Sequence, residues 1–168
     1  MRVLVAYASK HGATRGIADA IVERLREREV GAEAAAVEEV DDPRGYDAVV
    51  LGSAIYAGSW LKPAVEFVDH HRDVLRQVPV WLFSSGPLGT EVEDAEEQPM
   101  QLAALREELQ PRGYRLFFGA LHHERLSFTE RMMVKAVRAP EGDFRDWEGI
   151  DRWVDEIAEA LVGSPAEP

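Results

Sequence analysis

Hydrophobic residues fall along the chain as short unbroken runs alternating with stripes of helical period. The run Val3-Leu4-Val5-Ala6-Tyr7-Ala8 predicts a buried strand. It breaks off in Ser9-Lys10-His11-Gly12-Ala13-Thr14. Beyond that, Ile17, Ala18, Ile21, Val22 and Leu25 recur on one face of a helix predicted over 15–29. Gly31 reads as the stop of that helix. A weak strand at 32–37 and turn chemistry in Asp41-Asp42-Pro43-Arg44-Gly45 lead to a strongly apolar strand at 47–52. The loop Ser53-Ala54-Ile55-Tyr56-Ala57-Gly58-Ser59 follows, and Pro63 suits the first turn of a helix running to His71. A strand at 78–83 ends in Ser84-Ser85-Gly86-Pro87-Leu88-Gly89. After an acidic loop come a helix at 99–110, a strand at 114–121, a short helix at 128–138 and a last long helix at 147–162. The chain reads as one domain over 1–162 with a frayed tail at 163–168.

Five strands alternating with helices, the inner strands apolar throughout, predict a parallel sheet covered on both faces. Right-handed crossovers narrow this to a doubly wound α/β domain, in which ligands sit beyond the carboxyl ends of the strands. Three loops, 9–14, 53–59 and 84–89, leave those ends with small, hydroxyl or glycine residues. Their shared chemistry predicts one site at one edge.

The first loop carries the sharpest chemistry. A helix start offers unpaired N–H groups and a positive dipole end, so a loop opening onto one can hold a phosphate. Ser9 and Thr14 can each donate a hydroxyl, and Gly12 lets the backbone approach an anion. The plainer reading is an ordinary strand-to-helix turn with Thr14 as N-cap. Several phosphate sites are excluded. A dinucleotide fingerprint needs three glycines where only Gly12 stands, and a P-loop needs Gly-Lys-Ser/Thr where Gly12-Ala13-Thr14 stands. A phospho-receiver would need acids after the first strand, where Tyr7-Ala8-Ser9 stands, and no G-x-S-x-G nucleophile elbow occurs.

What remains resembles the flavodoxin superfamily. Ser9-Lys10-His11-Gly12-Ala13-Thr14 is similar to its hydroxyl-x-hydroxyl-Gly-x-Thr phosphate loop, with lysine–histidine in place of the middle pair. The finer resemblance is to the flavodoxin-like menaquinone-dependent protoporphyrinogen IX dehydrogenases. Gly52-Ser53-Ala54-Ile55-Tyr56-Ala57-Gly58 is similar to their second flavin loop. Gly119-Ala120-Leu121, the segment Phe128-Thr129-Glu130-Arg131-Met132-Met133-Val134-Lys135 and the helix opening Asp146-Trp147 resemble their later elements. The resemblance implies a flavodoxin-like, five-stranded parallel sheet of order 2-1-3-4-5 and noncovalent FMN. It places the cofactor among Ser9, Lys10, His11, Gly12, Ala13 and Thr14; Ala54, Ile55, Tyr56, Ala57 and Gly58; and Ser84, Ser85, Gly86, Pro87, Leu88 and Gly89. It further implies an FMN-dependent oxidoreductase of porphyrin biosynthesis that passes electrons or hydride to a quinone or another small molecule. Two alternatives stay open: a soluble electron carrier without a substrate of its own, and a flavodoxin-fold binding module lacking cofactor.

Other residues carry weaker signals. Tyr56 and Trp60 are candidates to stack on a flavin ring, against plain packing. Ser84 and Ser85 can bond the ring's polar edge, or Ser84 can cap the strand end internally. The five acids of Glu91-Val92-Glu93-Asp94-Ala95-Glu96-Glu97 read as a solvated turn favouring the next helix start, or as a rim that lowers the flavin's potential. Adjacent residues on a helix do not face each other, so His70-His71 makes a poor chelate; His122, after the fifth strand, is the one candidate proton relay. Met132-Met133 with Phe128, Val134 and Val137 reads as core, or as a face for a quinone, a porphyrin or the second subunit of a homodimer.

Composition narrows the classes. The 168 residues are 46% hydrophobic, with no run of membrane-span length and no secretion signal. Cysteine is absent, which removes disulfides, thiolate metal sites and thiol nucleophiles and fits the cytoplasm. Nineteen basic against 31 acidic residues, net −12, argue against nucleic acid and against peripheral contact with anionic membranes; they leave open a basic redox protein as partner, against the plainer reading that the charge only keeps the chain soluble.

Overall fold

In a computed structural model, residues 1–10, 12–56, 58–86, 99–117, 120–121, 142–143 and 145–163 are described. The apolar runs become strands β1 (Arg2–Ala8), β2 (Gly31–Ala36), β3 (Ala48–Tyr56), β4 (Ser59–Trp60), β5 (Val80–Ser85) and β6 (Gly113–Phe117). Helices α1 (Ala13–Glu27), α2 (Lys62–Leu75), α3 (Leu102–Leu109) and α4 (Trp147–Val162) alternate with them. Ala120–Leu121 and Gly142–Asp143 form a separate antiparallel pair, β7 and β8.

The main sheet runs β2-β1-β3-β5-β6, all parallel, with the two-residue β4 folded back antiparallel on β3. Counting parallel strands alone, the order is 2-1-3-4-5. The period-two alternation of each inner strand divides the core. Val3, Val5, Val50 and Phe83 face α1 and α4, where Ile17, Ile21, Leu25, Ile150, Trp153 and Ile157 meet them. Leu4, Ala6, Val49, Leu51 and Leu82 face α2 and α3 and pack on Ala64, Phe67, Val68, Leu105 and Leu109. Burying side chains on both faces is why these strands read as continuous apolar runs. The domain is doubly wound, as the alternation of elements predicts.

Several boundaries differ, each for a physical reason. The stop of α1 is not Gly31. Glu29 takes a left-handed φ of 62° while its N–H donates to the Arg26 carbonyl and that of Val30 to the Leu25 carbonyl, each 3.0 Å. This Schellman closure ends the helix two residues earlier, with Val30 and Leu25 buried together. Gly31 instead opens β2, where a Cβ would crowd the Met1 carbonyl. Helix α2 continues past His71 to Leu75, with a local break in helical geometry at His71. The N-cap of α1 is Gly12, at φ 90°, and Thr14 stands inside the first turn. The expected strand 114–121 is described as β6 and β7, with 118–119 outside the described residues; the helix expected over 128–138 lies wholly outside them.

Candidate functional site

Strand register brings the three loops together. Ala8 pairs with Ser53, and Ser53 with Ser84, so the carboxyl ends of β1, β3 and β5 stand level at one edge. The chain leaves β1 through α1 towards β2 on one side and leaves β3 through α2 towards β5 on the other. The crevice between β1 and β3 is therefore the switch point of the sheet, where parallel α/β sheets seat ligands.

In the first loop, the Ser9 hydroxyl accepts the Gly12 N–H at 3.0 Å, which ties the end of β1 to the start of α1. Left-handed Gly12 then delivers the chain into α1 with no side-chain cap. The first-turn amides of a helix have no partners within it. Thr14 is 1% exposed, and its hydroxyl has no hydrogen-bond partner among the described residues. A buried, unsatisfied hydroxyl costs stability unless something binds it. The first turn of α1 also contains no acid. Helix-start amides, a buried hydroxyl with no partner among the described residues and a first turn without acids are a donor set suited to a phosphate, so the residues present fit the phosphate of FMN. His11 lies outside the described residues.

The second loop is largely strand. β3 continues through Ser53, Ala54 and Ile55 to Tyr56, and Ile55 and Tyr56 pair with Trp60 and Ser59 as the chain turns back in a hairpin. Gly58, at φ 77°, supplies the left-handed backbone that such turns favour; Ala57 lies outside the described residues. The Ser53 hydroxyl accepts the Leu61 N–H at 3.0 Å and donates to the Ala54 carbonyl at 2.8 Å. A residue that the sequence pattern gave no reason to single out fastens the hairpin. The amide oxygen of Gln101 accepts the Trp60 N–H at 3.0 Å, and its amide nitrogen donates to the Ser59 hydroxyl at 2.8 Å. The Met100 N–H adds a bond to the Gly58 carbonyl at 3.1 Å.

Tyr56 is half-buried, and the ammonium of Lys10 lies 3.9 Å from its ring centroid, so the first and second loops touch through a cation–π contact. Trp60 does not offer its ring to the crevice. It is 3% exposed and packs into the core on the α2 side, which corrects the stacking expectation in favour of plain packing. Its indole N–H donates to the Ser84 hydroxyl at 2.8 Å, as does the Tyr114 hydroxyl at the same distance. Ser84 is thus turned inward, closing the strand end internally. Burial pushes the Tyr114 phenol above its ordinary pKa, and the Ser84 contact opposes this in part. Ser85 is 4% exposed. Gly86, at φ 119°, donates its N–H to the Phe117 carbonyl at 2.8 Å, and its backbone runs beside Ile55 of the second loop. Pro87, Leu88, Gly89, the acidic stretch 91–97, the histidines 122–123 and the methionines 132–133 lie outside the described residues.

Comparison with known proteins agrees with this geometry. The family model described as a flavodoxin domain matches residues 4–148. The protoporphyrinogen IX dehydrogenase [quinone] of Escherichia coli strain K12 is 26% identical over 172 residues, covering 94% of this chain and 95% of its own. Among solved structures, a flavodoxin from the domain Archaea superposes with a TM-score of 0.67 at 18% identity, covering 96% of this chain and 99% of its own. Oxidised flavodoxin 1 from Bacillus cereus gives 0.64 at 18% identity, covering 99% and 100%. At such identities the structural likeness speaks to fold, and the family match to descent. The chain belongs to the flavodoxin domain family.

Proposed function

We propose that the chain binds FMN at the β1/β3 crevice and serves as a flavodoxin-type electron-transfer protein. The observation that carries this reading is the buried hydroxyl of Thr14, without a partner among the described residues and set beside left-handed Gly12 at the start of α1. Bound FMN supplies one- and two-electron redox chemistry, and the protein supplies position and electrostatics. The Gly12–Thr14 turn holds the phosphate. The hairpin edge of Ala54, Ile55, Tyr56 and Gly58, with Tyr56 foremost, borders the ring, and the backbone of Ser85 and Gly86 lines the other side. Ser84, Trp60, Tyr114 and Gln101 brace these loops from behind. With a net charge of −12, the natural redox partner is a basic protein that the acidic surface draws in.

A second reading, a quinone-linked dehydrogenase acting on protoporphyrinogen, is favoured by one finding. The Escherichia coli dehydrogenase aligns over nearly the whole of both chains. The two readings separate in one experiment. The purified protein, loaded with FMN and followed by its visible spectrum under anaerobic conditions, is offered a flavodoxin reductase, then protoporphyrinogen, then a menaquinone analogue. A carrier exchanges electrons with the reductase alone, whereas a dehydrogenase is reduced by the porphyrinogen and reoxidised by the quinone. A protein that purifies colourless and takes up no added FMN overturns both.

A further inference from the structure

The chain is strongly acidic, yet cations gather at the start of α1. Lys10 and Arg15 flank the turn, and α1 brings no acid to its first turn. A third cation arrives from the far end of the sequence. Arg145, two residues before α4, lays its guanidinium against the backbone of Gly16, so closely that a Cβ on Gly16 would overlap Nη1. On its other side the guanidinium carbon lies 4.7 Å from the ring centroid of Trp147, the first residue of α4. In a helix the Cα–Cβ bond tilts towards the N-terminus, and residues four apart share a face. A group occupying the side-chain space of Gly16 therefore lies over the turn containing Gly12 and Ala13. Consistent with this, the Gly16 N–H donates to the Gly12 carbonyl at 3.0 Å.

A cation beside the N-terminus of a helix meets the positive end of the dipole, which repels it. An anion between the two reverses the sign of that interaction for both. The guanidinium has room there because residue 16 is glycine, a poor helix former in the second turn of a fifteen-residue helix. The Thr14 hydroxyl at the same helix start, buried and without a partner among the described residues, independently points to an anionic ligand.

We infer that Arg145, seated between Trp147 and Gly16, is a phosphate-binding residue of this site, adding a guanidinium to the amides and hydroxyls of the first loop. The inference rests on the FMN reading and deepens it. Arg145 gives the phosphate dianion a charge-assisted, planar donor that a loop of amides and hydroxyls lacks, and it makes the segment leading into the last helix part of the cofactor site.

FMN and riboflavin differ only in the phosphate, so titrating the full-length apoprotein with each, by quenching of flavin fluorescence, tests this directly. Arg145→Gln weakens FMN binding by about tenfold or more and leaves riboflavin binding unchanged, while Arg145→Lys recovers much of the loss. Gly16→Ala separates the site from the fold. Alanine favours the helix, so the melting temperature of the apoprotein rises, while the displaced guanidinium costs FMN affinity several-fold. Equal losses for both flavins in Arg145→Gln, or no loss for FMN, overturn the proposal and leave the flavin reading intact. If the unaltered protein binds neither flavin, the flavin reading fails, and inorganic phosphate decides on Arg145. A phosphate-dependent rise in melting temperature that is lost in Arg145→Gln sustains its anion role; no rise, or an equal rise in both proteins, ends it.

Discussion

The indole N–H of Trp60 donates to the Ser84 hydroxyl across 2.8 Å, with both residues buried, and so joins the second loop to the strand beneath the third. The Tyr114 hydroxyl converges on the same oxygen from β6. Ser84→Ala strands the buried Trp60 donor and the half-buried Tyr114 donor at once, and stability falls by about 2–4 kcal/mol, whereas Tyr114→Phe removes one partner cleanly and costs about 1 kcal/mol. Urea denaturation of the two variants beside the parent protein measures both. Equal effects would show that the serine is not the shared acceptor.

Thr14 gives a cleaner separation of binding from folding. Its hydroxyl is buried without a partner among the described residues, so Thr14→Val removes a polar group that makes no bond there in the unliganded fold. Apoprotein stability stays level or rises by under about 1 kcal/mol, while FMN affinity drops about tenfold. Calorimetric titration alongside thermal melts reads the two changes separately.

Glu29 carries strain that glycine would relieve. It occupies the left-handed C′ position of the Schellman closure at φ 62°, a conformation in which a Cβ is penalised. Glu29→Gly stabilises the protein by about 0.5–1 kcal/mol, visible as a shift of the urea midpoint at unchanged slope.

His71 makes stability depend on pH. Its burial, and secondarily the charge of His70, hold its pKa below the ordinary 6.5, with Asp42 opposing weakly. Its ring packs 4.8 Å from that of Phe67. The unfolded chain takes up a proton near pH 6.5 and the folded chain only at lower pH. The stability owed to neutral imidazole is therefore complete above pH 6.5 and is lost as pH falls through the folded value. Melting temperatures taken from about pH 8 to about pH 5 fall less steeply in His71→Gln than in the parent.

How far the sequence reveals the molecule depends on whether a signal is local. The six-residue apolar run before Ser9 and the i, i+3, i+4 stripe from Ile17 to Leu25 specify β1 and α1, because burial alone decides both. The end of β3 is not legible in that way. Gly52-Ser53 interrupts the apolar run, and residues 53–56 remain strand because Ser53 and Ala54 pair with Ser84 and Ser85, and Ile55 and Tyr56 with Trp60 and Ser59. Gly31 looked like a helix stop since glycine favours the left-handed region, yet hydrogen bonds to Leu25 and Arg26 impose that region on Glu29. The phosphate-type loop could be read from residue types in order. Gln101 and Arg145 could not, since each matters through a contact with a distant segment that no local period encodes.

Gly52 sits opposite Phe83 in the β3–β5 register, and a methyl at position 52 would run into the Phe83 ring, itself braced by Phe117 and Trp153. The ring occupies the space that a side chain at 52 would claim, so residue 52 stays without a Cβ for as long as residue 83 is aromatic. An enlarged residue at 52 would have to arrive together with a smaller one at 83, so among descendants of this chain the two positions should drift only in step.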